Sequence, residues 1–211
     1  MNRDFKDDRK EYAFGELNIT EMPTDPLEMF SNWYDQYSSL DKADQTAFQI
    51  VTQGFDGFPQ SRIVLLKEIR RRQFVFYTNY QSSKGMEILT QPKVSMNFFW
   101  PDMERQIRIK GIAEKVSSAE SDAYFYSRPL ESQFGAMASP QSDVIANREE
   151  LEKAYADIVA AGNPKRPDHW GGFQITPTEF EFWQGRRSRL HDRLRYRRDQ
   201  DSSFRLERLA P

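Results

Sequence analysis

QSRIVLLKEI at residues 60–69 and QFVFYTN at residues 73–79 are the runs that decide the fold. Both are dense in β-branched and aromatic residues and are bounded by turn signals, so they read as strands of antiparallel hairpins. TAFQIVTQ at 46–53 is a strand before them, joined through a turn containing Asp56-Gly57. VSMNFFW at 94–100 and RQIRIKGIAEKV at 105–116 are strands after them. In the second of these, Ile107, Ile109 and Ile112 alternate with Arg108 and Lys110, and Gly111 reads as a bulge. GGFQIT, EFEFWQG, RLHDRLRYRR and SFRLERL carry the strand pattern to residue 209.

The helices are fewer. Asp25, Pro26 and Glu28 supply an N-cap, a proline at the first helical position and a first-turn carboxylate. The helix they open, 26–39, places Leu27, Phe30, Trp33, Tyr34 and Tyr37 on one stripe. A short helix is expected at 83–90, and SSAESDAYFYSRP reads as a helix stopped by Pro129. Another spans 147–160, capped by Asn147, with Leu151, Tyr155, Ile158 and Val159 on one face and Gly162 at its end. Residues 163–169 read as a loop. The sum is a mainly β fold: an antiparallel, Greek-key-like barrel with peripheral helices. Residues 1–24 read as a mobile arm and 25–211 as a single domain.

Composition narrows the chemistry. The 211 residues contain no cysteine, which excludes disulfides, zinc–thiolate sites and thiol nucleophiles. With only His169 and His191 present, no metal site is expected. Aromatic residues make up 14%, a share that suits strands and flat ring ligands. The formal net charge of −2 argues against a nucleic-acid partner, although residues 186–198 are densely basic. The first fifteen residues, MNRDFKDDRKEYAFG, do not read as a signal peptide, and no run reaches the roughly 20 apolar residues of a membrane helix. A cytoplasmic protein with no membrane partner is expected.

Four clusters could carry chemistry. Arg62 and Lys67 bracket an apolar strand, either as rim charges or as cations facing a phosphate or electron-rich ring. Tyr77-Thr78-Asn79 followed by Ser82-Ser83-Lys84 places a strand end, a polar turn and a helix N-terminus together. That is a phosphate cradle or an ordinary serine cap beside a solvated lysine. Tyr124 and Arg128, four apart on a helix, share a face, with Ser132 just beyond. They suit a second phosphate, although surface Tyr–Arg pairs are common. In an extended strand Arg189, His191 and Arg193 would share a face opposite Leu190 and Asp192, a cation cluster that calls for an anion.

These clusters, in this order, resemble the pyridoxamine/pyridoxine 5′-phosphate oxidase family. The resemblance runs from Arg9-Lys10-Glu11-Tyr12 through RIVLLK, FYTN, SSK, ERQIRI, YFYSRP, SPQS, WGGF, FWQG and RLHDR to the terminal ERLAP. It implies an FMN-binding split barrel and a homodimer with the site at the subunit interface. It implies that FMN is held by Arg62, Ile63, Val64, Leu65, Leu66, Lys67, Tyr77, Thr78, Ser83 and Lys84. Gln106, Gln141, Ser142, Trp183 and Arg193 would complete that shell, some from the partner subunit. The substrate phosphate would sit among Lys67, Tyr124, Arg128 and Ser132. Arg189, Leu190 and His191 would lie at the pyridine ring, with Arg189 and His191 as the catalytic candidates. Residues Arg9, Lys10, Glu11 and Tyr12 would form part of a lid.

The family commonly has Ser-Arg-Lys where this chain has Ser82-Ser83-Lys84, so a cationic contact to the FMN phosphate is replaced by a hydroxyl or lost. The implied reaction is oxidation of the phosphorylated B6 vitamers by O2 to pyridoxal 5′-phosphate, with hydrogen peroxide released. The alternative is another flavin split-barrel oxidoreductase, flavin reductase-like or a phenazine-type oxidase. Such a protein would keep RIVLLK and Lys84 but need not keep Tyr124, Arg128, Ser132, Arg189 and His191.

Overall fold

The computed structural model describes residues 4–7 and 11–211. In chain order the elements are α1 (Pro26–Ser38), β1 (Ala47–Gln53), β2 (Pro59–Leu65), β3 (Glu68–Arg70), β4 (Gln73–Asn79), α2 (Ser83–Thr90), β5 (Lys93–Trp100), β6 (Arg105–Lys115), α3 (Ser118–Ser127), α4 (Leu130–Ala138), α5 (Arg148–Ala161), β7 (Trp170–Gln184), β8 (Asp192–Arg198) and β9 (Phe204–Leu209). Short 3-10 turns lie at Ile19–Glu21, Pro101–Met103 and Arg187–Arg189. The strands hydrogen-bond in the order β2-β1-β5-β6-β7-β4-β3, with β8 on β7 and β9 on β8.

The chain forms two compact units. A terminal unit comprises Met1–Gln45, Met96–Lys110 and Thr178–Pro211; a central unit comprises Thr46–Ser95 and Gly111–Pro177. Strands β5, β6 and β7 contribute residues to both.

In the central unit β1 and β2 form the expected hairpin, antiparallel from Ala47↔Leu65 to Gln53↔Pro59. Phe48, Ile50, Phe74, Phe76, Ile88, Phe125, Phe173 and Ile175 are buried and form its core. Burying each such side chain stabilises by roughly 1.5–3 kcal/mol. β2 behaves differently: Ile63 is 64% exposed and Leu65 37%, so its apolar residues face out of this subunit's core. The run QSRIVLLKEI is two strands, because pairing with β1 ends at Leu65 and β3 pairs with β4 from Glu68.

In the terminal unit Asp25 caps α1, its carboxylate accepting from Leu27 N–H at 2.9 Å. Met29, Phe30 and Trp33 are the buried face, so Met29 takes the inner place expected of Leu27. Phe30 meets Phe98 edge-on at 5.1 Å, and Trp33 meets Phe182 at 5.3 Å. The Tyr196 hydroxyl donates to Pro23 O at 2.7 Å.

Three sequence expectations are corrected. Inward and outward residues alternate without a slip through Gly111, so there is no phase-shifting bulge there and Ile112 lies outward, 40% exposed. Leu130–Ala138, not anticipated, forms α4 directly after Pro129, because a proline that ends one helix can also stand at the entrance to the next. β7 is one fifteen-residue strand that passes through Pro177.

Candidate functional site

The central unit contains a cavity of about 560 Å³. The exposed edge of β2 supplies Ile63, Val64 and Leu65, and Lys67 follows at the strand break. Tyr77 and Thr78 come from the end of β4 and Lys84 from the first turn of α2. Tyr124, Arg128, Ser132 and Gln141 also line it.

One wall is aromatic. Tyr77 stacks on Tyr124 with centroids 3.9 Å apart, and Trp170 stacks on Tyr77 at 5.6 Å. The Arg128 guanidinium sits over the Trp170 ring at 4.6 Å. Burial raises the Tyr77 and Tyr124 hydroxyls above their ordinary range and lowers the Arg128 guanidinium below its own. Arg128 Nη1 is a buried donor with no hydrogen-bond partner among the described residues. A buried N–H of a cation without an acceptor is costly, so it marks where an anion would be gained.

Lys84 forms a second cationic point. It is 8% exposed, and its ammonium donates to Thr78 Oγ1 at 3.1 Å, Gln141 Oε1 at 3.1 Å and Ser82 Oγ at 3.2 Å. Desolvation, and then repulsion from Arg62, lower its pKa to about 8 against a smaller opposing pull from Glu87. The α2 N-terminus is capped by Ser82, whose hydroxyl accepts from Gly85 N–H at 3.3 Å.

Not every predicted residue meets at this cavity. Arg62 pairs with the buried carboxylate of Glu87 at 3.0 Å and with the Thr52 hydroxyl. Leu66 is buried, its N–H bonded to Thr46 O at 2.8 Å. Ser83 and Ser142 line a different recess, with Gly54, Gln81 and Glu87. Gln106, Trp183, Arg189, His191 and Arg193 belong to the terminal unit. There Arg193 pairs with Glu181 at 2.9 Å.

The shared strand face expected for Arg189, His191 and Arg193 is overturned. Arg187–Arg189 is a 3-10 turn with Ser188 and Arg189 at positive φ, and β8 begins only at Asp192. Two successive left-handed residues cannot continue a strand. The turn is closed by His191, whose Nδ1 accepts from Arg186 N–H at 3.1 Å. The neutral ring therefore carries its proton on Nε2. Burial, and then the Arg189 charge, hold the imidazole below its ordinary pKa. The ring lies 4.7 Å from Trp183 and 5.6 Å from Tyr12, and Leu190, Tyr12, Arg186 and Arg187 line a recess beside this turn.

Of the residues expected in a lid, Arg9 and Lys10 lie outside the described residues. Glu11 stands 3.8 Å from Arg187. Tyr12 sits against Gly185, where a Cβ would come within 2.8 Å of the Tyr12 ring. The part of the expected arm that follows is held in place. Ala13 and Phe14 N–H both donate to Glu104 Oε2, and Leu17 N–H donates to Asp192 at 3.0 Å.

Sequence reasoning missed Trp170, which builds the Arg128 wall, and the pair Glu104–Arg105. The signal for Trp170 was an aromatic residue directly before a glycine pair. Arg105 has no comparable signal: its burial between Trp33 at 4.3 Å and Phe14 at 5.5 Å, which lowers its pKa to about 10, appears only in three dimensions. Among the described residues no group of three or more His, Asp or Glu could hold a metal, and no helix is long and apolar enough to cross a membrane.

Two solved structures share the fold. PhzG from Burkholderia lata, in complex with tetrahydrophenazine-1-carboxylic acid, superposes with a TM-score of 0.88 at 28% identity, covering 96% of this chain and 100% of that one. A pyridoxamine 5′-phosphate oxidase-related, FMN-binding protein from Nostoc punctiforme superposes at 0.71 with 17% identity, covering 90% of this chain and 100% of that one. The fold is thus the split barrel, and, with the family match and relatives that follow, the class is a flavoprotein oxidoreductase. Residues 39–160 match the family described as pyridoxamine 5′-phosphate oxidase, and residues 170–211 match its C-terminal dimerisation region. A pyridoxine/pyridoxamine 5′-phosphate oxidase of Methylibium petroleiphilum is 48% identical over 213 aligned positions, covering 100% of both chains. The chain belongs to the pyridoxine/pyridoxamine 5′-phosphate oxidase family.

The cavity fits a flavin phosphate ester in kind: an apolar strand edge for the ring, and a buried ammonium with a neighbouring hydroxyl and amide for the phosphate.

Proposed function

We propose that this chain oxidises pyridoxine 5′-phosphate and pyridoxamine 5′-phosphate to pyridoxal 5′-phosphate, with FMN as cofactor and as a homodimer. The alcohol and O2 give the aldehyde and hydrogen peroxide; the amine, O2 and water give the aldehyde, ammonia and hydrogen peroxide. FMN supplies the two-electron acceptor for the substrate C4′ carbon and the route from there to O2.

The observation that carries the reading is Arg128 Nη1, buried without an acceptor in a cavity that Tyr124, Ser132 and Lys67 also line. Two cations and two hydroxyls suit a phosphate monoester. Lys84, with Thr78 and Gln141, is assigned to the FMN phosphate, and the β2 edge from Ile63 to Leu65 to its ring system. Tyr77 completes the ring wall. Arg62, paired with Glu87, is assigned to orienting α2 and to the field around Lys84. Leu66 is assigned to fixing the β2 edge. Ser83 and Ser142 are assigned to the outer side of the FMN phosphate. Gln106, Trp183 and Arg193 are assigned to FMN in the dimer.

Arg189 and His191 are assigned to the pyridine ring, with Leu190 beside them and residues 9–12 as a cover. His191, protonated on Nε2, donates a hydrogen bond to the substrate and does not start as the base. The chain's own contribution is positioning of the ring and exclusion of water.

The resemblance to PhzG supports a second reading, in which the substrate is a reduced tricyclic carboxylate such as that protein's ligand. The readings separate in one assay. Purified protein reconstituted with FMN is given pyridoxine 5′-phosphate, pyridoxine and a dihydrophenazine carboxylate under air, with peroxide and pyridoxal 5′-phosphate measured. Strong preference for the phosphate ester is the expected result. Equal turnover of ester and free alcohol, or turnover of the phenazine alone, overturns it.

A further inference from the structure

Glu104 is a buried glutamate, 7% exposed, in the left-handed region at φ 54 and ψ 39. A non-glycine residue there is held against a local cost, and such residues concentrate where the surrounding structure has a use for them.

Its contacts show what it holds. One carboxylate oxygen accepts from two consecutive backbone amides, Ala13 N–H at 2.8 Å and Phe14 N–H at 2.9 Å. Its backbone carbonyl accepts from Gly185 N–H at 2.8 Å. Tyr12 lies immediately before these two amides, and its ring rests on Gly185. Glu104 therefore grips both sides of the Tyr12–Gly185 contact, the ring's own segment through its side chain and the floor under the ring through its backbone. The Tyr12 ring in turn meets Trp183 edge-on at 5.7 Å and His191 at 5.6 Å. Arg105, the next residue, extends the grip: its guanidinium lies 5.5 Å from the Phe14 ring and donates to Gln184 at 2.9 Å and Gln36 at 2.7 Å.

We propose that Glu104 is a positioning residue for the oxidation: it tethers the segment at Ala13–Phe14 so that Tyr12 packs on His191 and holds the imidazole in its working orientation. The proposal rests on the reading above of His191 as facing the substrate. Charge-assisted bonds from two amides to one carboxylate are strong enough to set the position of the segment that carries Tyr12.

The test uses substitutions that the backbone tolerates. Glu104→Gly and Glu104→Asn both accept the left-handed conformation, so the turn survives while the two amides lose the carboxylate. Glu104→Gln keeps an oxygen acceptor at the same reach. With only two histidines in the chain, the ring signals of His191 and His169 can be assigned by NMR through a His169→Gln control. In the FMN-loaded dimer, Glu104→Gly should shift the His191 signals, by loss of the Tyr12 ring, and leave His169 in place. For pyridoxine 5′-phosphate, kcat per bound flavin should fall on the order of tenfold, with KM changed less than twofold. Glu104→Gln should restore most of both.

Unmoved His191 signals in Glu104→Gly overturn the tether. Moved signals with unchanged kcat overturn its role in the reaction. A wild type that oxidises no phosphorylated B6 vitamer defeats the functional reading alone, and the His191 signals then still decide the tether.

Discussion

The ring of Tyr124 lies almost parallel to that of Tyr77, 3.9 Å away and tilted by 21°. The stack gives the cavity a rigid wall and aims the Tyr124 hydroxyl while the ring face stays occupied. Function and packing can therefore be separated at one residue. Tyr124→Phe keeps the stack and should leave Tm unchanged, but raise KM for pyridoxine 5′-phosphate about 10–100-fold, the worth of one hydrogen bond to a charged group. Tyr124→Ala should lower Tm as well. A normal KM in Tyr124→Phe would remove the hydroxyl from the phosphate site.

Lys84 makes cofactor retention depend on pH. Its pKa of about 8 means that the ligand-free protein loses this charge as pH rises above 8. A bound phosphate favours the ammonium, so binding takes up a proton above that point. FMN affinity should be flat between about pH 7, above the second ionisation of the phosphate, and pH 8, and weaken above that by at most about tenfold per pH unit. The same shift has a stability counterpart. Between about 8 and 10.5 the unfolded chain holds the proton that the folded one has lost, so folding stability from this group is lowest below that window, rises with pH across it and is constant above it. Lys84→Arg should flatten the FMN titration; a pH-independent Kd in the wild type would mean Lys84 does not face the phosphate.

Ser83 is exposed at the first position of α2, in a recess with Ser142. Ser83→Arg should tighten FMN binding, because a guanidinium brings a positive charge and a bidentate pair of donors to a phosphate where a hydroxyl brings one uncharged donor. Equilibrium dialysis of the two proteins decides it. An equal or weaker affinity in the variant would show that the arginine finds no phosphate there.

The strands and the cavity-lining residues were legible because their signals are local. Alternation in β1 and the Ser82 cap are properties of a few consecutive residues. Lys67, Thr78, Lys84, Tyr124, Arg128 and Ser132, all named from sequence, line one cavity. What was not legible depends on pairs distant in sequence. Arg62 is occupied by Glu87, twenty-five residues on, and the role of Glu104 depends on amides ninety and ninety-one residues away. The turn at Arg187–Arg189 escaped because Ser and Arg carry no mark of positive φ, and an alternating RLHDR reads naturally as a strand.

The Arg62–Glu87 pair separates support of the site from contact with the cofactor. Glu87 is 4% exposed, and its carboxylate meets both Arg62 and the Thr52 hydroxyl. Arg62→Ala would leave that carboxylate buried without its cation, at a cost of about 3–5 kcal/mol for a fully buried pair and less here, since the arginine side chain is 21% exposed. Tm should drop by several degrees. Glu87→Gln has a different signature. It keeps the shape and an acceptor for Arg62 but removes the negative charge that raises the Lys84 pKa, so the pH at which FMN affinity begins to fall should move below 8. If Arg62 serves the cofactor only through α2, Arg62→Lys should preserve both Tm and the FMN Kd. If Arg62→Lys keeps Tm but loses FMN, the guanidinium touches the phosphate directly, and the pair with Glu87 must open when the cofactor binds.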